Sequence, residues 1–111
     1  MDYVFELKWK SAIKQLEERF EQAMDLQSTL FLIGVQELGK GFGKFSKKEK
    51  LDLMHIAVCK VLEPFGYYEF SHIDKDGWPH YETKKNLPPL EADEQQRLIK
   101  EAIINYLEKE V

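Results

Sequence analysis

The chain has 111 residues, a mass of 13.1 kDa and a formal net charge of −4 from 16 basic and 20 acidic residues. A domain of this size should expose about 6,400 Å² when folded, against about 19,000 Å² for the extended chain, so one core can form without disulfides or metal. A hydrophobic content of 43% with 32% charged residues excludes a disordered composition, and no apolar run reaches the roughly 18 residues that span a bilayer.

The first predicted element is a helix over about 3–25. Phe5, Trp9, Ile13, Leu16, Phe20 and Met24 recur every three or four residues, the period of one helix face. Lys8, Lys10, Lys14, Glu17, Glu18, Arg19 and Glu21 lie between them and suit a solvated face. A second helix spans about 26–38, capped by Ser28 or Thr29 or entered through a bend at Asp25. Leu26, Leu30, Phe31, Ile33, Val35 and Leu38 cover most of its circumference, which marks it as the most buried helix. Gly34 costs about 1 kcal/mol there relative to alanine, which close approach of a neighbouring helix would explain.

Gly39, Gly41 and Gly43 end that helix, and Ser46 with Glu49 forms a capping-box pattern that starts a third, over about 47–63. Leu51, Met54, His55, Val58, Val61 and Leu62 are its expected inner side, closed by Pro64 and Gly66. Residues 67–83 lose the helical period. Tyr67–Ile73 reads as one strand, Asp74–Gly77 as a turn and Trp78–Thr83 as a return strand that Pro79 confines to an edge or keeps short. Strict alternation places Tyr68, Phe70 and His72 on one face, and Tyr67, Glu69, Ser71 and Ile73 on the other. After a Pro88-Pro89 linker, a last helix covers about 91–110, with Asp93 and Gln96 as its cap and Leu98, Ile99, Ala102, Ile103, Tyr106 and Leu107 as its stripe. The expected fold is a mainly α, single domain over 1–111: a three- to four-helix bundle, three if the first two helices merge, with a β-hairpin before the last helix.

Residues 39–50 carry five lysines against Glu49 alone, so the rest of the acidic chain would repel a polyanion and general nucleic-acid binding is not expected. Lys40, Lys44, Lys47 and Lys48 are candidates for a local anion contact beside the Ser46 helix start, with Phe42 and Phe45 interleaved as base-stacking or docking anchors. The glycines follow a helix and lack the Walker spacing, which favours an interhelical loop over a phosphate loop. Asp74 and Asp76 begin like a calcium loop but lack its twelfth-position glutamate. Ser71 and His72 are sequence neighbours on opposite faces and should not converge.

One cysteine, Cys59, rules out an internal disulfide and fits a reducing compartment. His55 and Cys59 lie one helical turn apart and are weak metal candidates; burial of Cys59 as a small hydrophobe is the stronger reading, and no cofactor is expected. Charges interrupt Met1–Lys10, so no signal peptide is expected and the protein reads as cytoplasmic, with no membrane attachment.

The aromatic hairpin is the most informative segment. Tyr67, Tyr68, Phe70, Trp78 and Tyr81 are interface candidates, since rigid aromatic side chains anchor contacts at little entropic cost. These residues favour a non-enzymatic protein–protein interaction or dimerisation module, with a protein partner or self-association. The alternative is a small-ligand- or metal-binding protein, or an enzyme, with a pocket between hairpin and bundle. His55, His72 and His80 would line it beside Tyr67 and Trp78.

Overall fold

The computed structural model describes residues 3–41 and 43–109. Among them the chain forms four helices: α1 (Tyr3–Phe20), α2 (Leu26–Leu38), α3 (Lys47–Leu62) and α4 (Ala92–Lys109). An antiparallel hairpin of β1 (Tyr68–Ile73) and β2 (Pro79–Thr83) lies between α3 and α4, as the change of periodicity implied. No described helix is long and apolar enough to cross a membrane.

α1 and α2 are separate, and α1 ends at Phe20, well before residue 25. Glu21 adopts a left-handed φ of 54°, which breaks the helix. Met24 therefore leaves the α1 stripe and is buried in the connection, where its N–H donates to the Glu17 carboxylate at 2.9 Å. Asp25 caps α2 in place of Ser28 or Thr29. Its carboxylate accepts the Ser28 N–H and its carbonyl accepts the Thr29 hydroxyl, both at 2.7 Å. Gly39 closes α2 at a φ of 75°, with its N–H returned to the Val35 carbonyl. Gly34 has the expected role: a Cβ there would lie 2.7 Å from the carbonyl carbon of Leu53 on α3 and would overlap its oxygen.

Ser46 and Glu49 form the full capping box, with N–H donations at 3.1 and 2.8 Å. The inner side of α3 differs from the expected stripe. Leu53, Ile56, Ala57, Cys59, Val61 and Leu62 are buried, while Leu51 and His55 are exposed. The helix is wedged between α2 on one side and α4 with the hairpin on the other, so two faces are covered and the simple stripe is rotated. A single 3-10 turn, Glu63–Phe65, and Gly66 at a φ of 84° lead into the hairpin.

The hairpin contains a bulge. Phe70 pairs with Tyr81 but His72 pairs with the adjacent His80, leaving Ser71 as an extra residue on β1. Cross-strand partners share a face. One face therefore carries Tyr68, Phe70, Ile73, Pro79, Tyr81 and Thr83, and the other Glu69, His72, His80 and Glu82. The bulge moves His72 and Ile73 off the faces that strict alternation assigns them, and it sorts apolar from polar.

α4 starts two residues earlier in its capping than expected: the Glu94 carboxylate accepts the Glu91 N–H at 3.2 Å, and Gln95 N–H reaches the Glu91 carbonyl at 2.9 Å. Its apolar stripe packs as read, with Ala102, Ile103 and Tyr106 buried among Leu30, Ile33, Ala57, Val61 and Leu62. A second cluster joins Val35, Leu38 and Leu53 to Phe31, Phe45 and Trp78. The accessible surface is 7,667 Å², about 1,300 Å² more than a monomer of this mass usually exposes.

Candidate functional site

α2 is apolar nearly all round, a pattern that belongs to a helix covered on every side. Here α3 covers one side at Gly34, and Leu30 and Ile33 meet α4 and the lower part of α3. The remaining side, with Leu32 and Gln36, faces α1 across an open groove. α1 leans chiefly on α4, because the turn at Glu21 sends it away from α2. Only Leu16 of α1 is buried.

The groove has a volume of about 700 Å³. Ala12, Leu16 and Phe20 form its α1 wall, and Leu32, Ile33 and Val35 its α2 wall. Tyr106 and Leu107 of α4 close the far side. Gln15, Arg19 and Gln36 supply polar groups. The Arg19 guanidinium lies 5.6 Å from the Phe20 ring centre, a cation–π placement. The Tyr106 hydroxyl donates to the Glu37 carboxylate at 2.7 Å and accepts from the Gln36 amide at 2.9 Å, which fixes α4 against α2. None of these residues was singled out as a site from sequence. The signal available was the all-round apolarity of α2, including Leu32, in a chain with too few helices to cover it.

A second, smaller opening of about 390 Å³ lies between α3 and the hairpin. It brings together His55, Cys59, Trp78, His80 and Tyr81 with Lys48, Asp52 and Asp74. His55 Nε2 is 3.6 Å from Cys59 Sγ, and the His55 ring meets Tyr68 edge-on at 6.4 Å. Burial pushes the Cys59 thiol up to about 11, so it stays protonated at neutral pH and is a poor nucleophile. No group of three histidine, cysteine, aspartate or glutamate side chains is arranged to hold a metal among the described residues.

His72 and His80 stack in parallel at 4.8 Å on the polar hairpin face. The bulge also brings Ser71 and His72 together, with Oγ 2.9 Å from Nδ1, contrary to the expectation from alternation. Both are exposed, and neither lines a described pocket. His80 Nε2 donates to the Asp74 carboxylate at 2.8 Å. That hydrogen bond, with the Trp78 and Asp76 N–H groups donating to the other oxygen, draws the Asp74 carboxyl down to about 2. Asp74 is thereby the keystone of a turn, with both carboxylate oxygens engaged by groups of the hairpin itself.

The five aromatic interface candidates of the hairpin segment divide by burial. Tyr67 is half-buried with the Lys85 ammonium 4.5 Å from its ring centre. Tyr68 is half-buried against the main core, and Trp78 against Val35, Leu38 and Leu53. Tyr81 is half-buried, and desolvation followed by the Glu37 and Glu63 charges pushes its hydroxyl up to about 12. Phe70 is 45% exposed and meets Tyr81 edge-on at 5.8 Å.

Lys40 donates to the Asp76 carbonyl, Lys48 pairs with Asp52 at 3.3 Å, and Lys44 and Lys47 are exposed. Phe45 packs edge-on against Phe31 at 6.0 Å and so is a docking anchor; Phe42 lies outside the described residues. Comparison of the chain with protein-family models, with curated proteins and with solved structures finds no match.

Proposed function

We propose that this chain is a non-enzymatic protein-binding module of the cytoplasm, and that its contact surface is the groove between α1 and α2. The observation that carries this reading is the open apolar groove of about 700 Å³ along a helix whose sequence suits full burial. An apolar floor with a rim of Gln15, Arg19 and Gln36 has the layout of an interface, with a dry centre and polar margin. A channel between two helices accommodates a third, amphipathic helix, which would seat side chains spaced three or four residues apart. The lone thiol of Cys59, buried and unpaired, supports the cytoplasmic setting.

The test is titration of anilinonaphthalene sulfonate, an apolar dye, into the protein at low micromolar concentration. One saturable site is expected, lost in Leu32→Trp, which fills the groove, and kept in Phe70→Ser on the hairpin. Absence of a site, or a site lost with Phe70 and kept with Leu32→Trp, refutes the reading.

A second reading is a small-ligand site between α3 and the hairpin, favoured by the 390 Å³ opening that gathers His55, Trp78 and His80. It requires that zinc or a small polar ligand perturb the ring resonances of His55 and His80 together in an NMR titration. Unmoved resonances refute it.

A further inference from the structure

We infer that His72 and His80 form a two-imidazole chelate for a divalent cation of the zinc, nickel or copper class, on the polar face of the hairpin. The site is separate from the groove between α1 and α2. It shares His80 with the opening beside α3 but draws its other ligand from β1.

Placement is the first support. Without the bulge at Ser71, strict alternation would set His72 beside Tyr68 and Phe70 on the apolar face, away from His80. The extra residue turns His72 to the polar face, directly across from His80. The two rings are parallel within 3° and their centres lie 4.8 Å apart. Zinc–nitrogen bonds of about 2.0 Å in a tetrahedral shell set two donor nitrogens roughly 3.3 Å apart. Tilting the rings about their soft terminal torsions closes that difference, and both side chains are exposed, so packing does not resist it.

The second support is the engagement of the opposite ring nitrogens. His72 Nδ1 lies 2.9 Å from Ser71 Oγ, and His80 Nε2 lies 2.8 Å from Asp74 Oδ2. Metal-binding histidines characteristically donate their second N–H to an oxygen of the protein, which fixes the tautomer and leaves the other lone pair to the ion. With both N–H groups donated in this way, the lone pairs fall on His72 Nε2 and His80 Nδ1. Asp74 is itself held by the Asp76 and Trp78 N–H groups, so His80 is steadied by the turn.

Charge is the third. Glu69 and Glu82 share the polar face with the two histidines, and Asp74 adjoins His80. Lys84 opposes them and pairs with Glu69 at 2.8 Å. The surroundings are net negative and favour a cation. Ligand type then selects the ion: imidazole suits zinc, nickel and copper, whereas magnesium and calcium require oxygen ligands. Two side chains supply two positions and water completes the shell, so the site is of a different kind from the three-ligand group that is absent among the described residues.

The experiment is titration of zinc chloride into the isotopically labelled chain in a non-coordinating buffer, followed through the ring nitrogen resonances of its three histidines. Those of His72 and His80 should move together and saturate at one ion per chain, with His55 unmoved. Magnesium chloride at the same concentration should move none. His72→Gln and His80→Gln should each weaken zinc binding in calorimetry by about tenfold or more, the loss that even an outer-shell substitution causes. His55→Gln should leave it unchanged. His72 is exposed and ties down no other element, so His72→Gln alone decides the matter if His80→Gln disturbs the turn.

Absence of a saturable shift overturns the inference, as does zinc binding that survives His72→Gln. Movement of His55 with His80 while His72 stays still also overturns it, and places the ion in the opening beside α3. An equal response to magnesium overturns it by reducing the effect to the charge of the face. Saturation at one ion per two chains does so as well, because the ligand pair is then shared between molecules. The dye titration at the groove is indifferent to all of these results.

Discussion

Gly34→Ala sets two known effects against each other, and the structure decides the sign. Alanine in a helix interior is favoured over glycine by about 1 kcal/mol, so propensity alone predicts a more stable protein. The added Cβ, however, would stand 2.7 and 3.0 Å from the carbonyl carbon and Cα of Leu53. Carbon atoms pack at about 3.5–4.0 Å, so α2 and α3 must part by roughly 1 Å, since backbone has no rotamer with which to step aside. Val35, Leu38 and Leu53 lie in this contact, each contributing about 2 kcal/mol by burial. A gap of that size forfeits about a quarter to a half of their contact energy, or about 1.5–3 kcal/mol. The net expectation is a loss of about 0.5–2 kcal/mol, which lowers Tm by about 2–15 °C in a domain of this size. Thermal and urea unfolding followed by circular dichroism measure it. Gly43→Ala is the control, because nothing lies within 4 Å of a Cβ there. A Gly34→Ala protein as stable as the wild type, or more stable, would show that the two helices are not in tight contact.

Other expectations follow from the hairpin and the thiol. Asp74 titrates at about 2, below its unfolded value of about 3.9. The stability it contributes is therefore present above about pH 4 and lost as pH falls toward 2. Trp78 emission should report that transition, and Asp74→Asn should flatten it; an identical acid profile in the variant sinks the assignment. Trp78→Ala, which empties a half-buried site against Val35, Leu38 and Leu53, should cost about 2–3 kcal/mol. A change below about 0.5 kcal/mol in urea melts would mean that the turn is not docked. Cys59 is 1% exposed and titrates near 11, so an aromatic disulfide reagent at pH 8 should modify it only as fast as the protein opens. Reaction within seconds in native buffer would show that His55, 3.6 Å away, activates the thiol instead.

Features written in neighbouring residues were legible from sequence. The Ser46–Glu49 box, the left-handed stop at Gly39 and the α4 stripe depend on spacings of three or four, and each formed as read. Gly34 was legible as a close approach because a glycine amid good helix formers needs a reason, although the neighbour, Leu53, was not. The faces of the hairpin were not legible. A bulge at Ser71 changes the parity of everything after it, and strands of five or six residues are too short to reveal a slipped period. The inner side of α3 was misread for a related reason: a helix covered on two sides has no single stripe, so Leu51 and Leu53 were indistinguishable by pattern. The groove lay furthest from reach. Its existence depends on the angle of α1 to α2, which a left-handed glutamate and a Glu17–Met24 hydrogen bond determine.

The weak seating of α1 also bears on local unfolding. With only Leu16 fully covered and α4 as its principal partner, α1 holds little of the buried surface that resists opening. Its amides should exchange with solvent well before those of α2 and α3, whose contact runs through Gly34 and Leu53. The wall of the groove is then the least stable cooperative unit of the domain. A guest that presses α1 against the bundle gains its affinity partly by closing an opening equilibrium, so binding and the slowing of α1 exchange are two readings of one free energy.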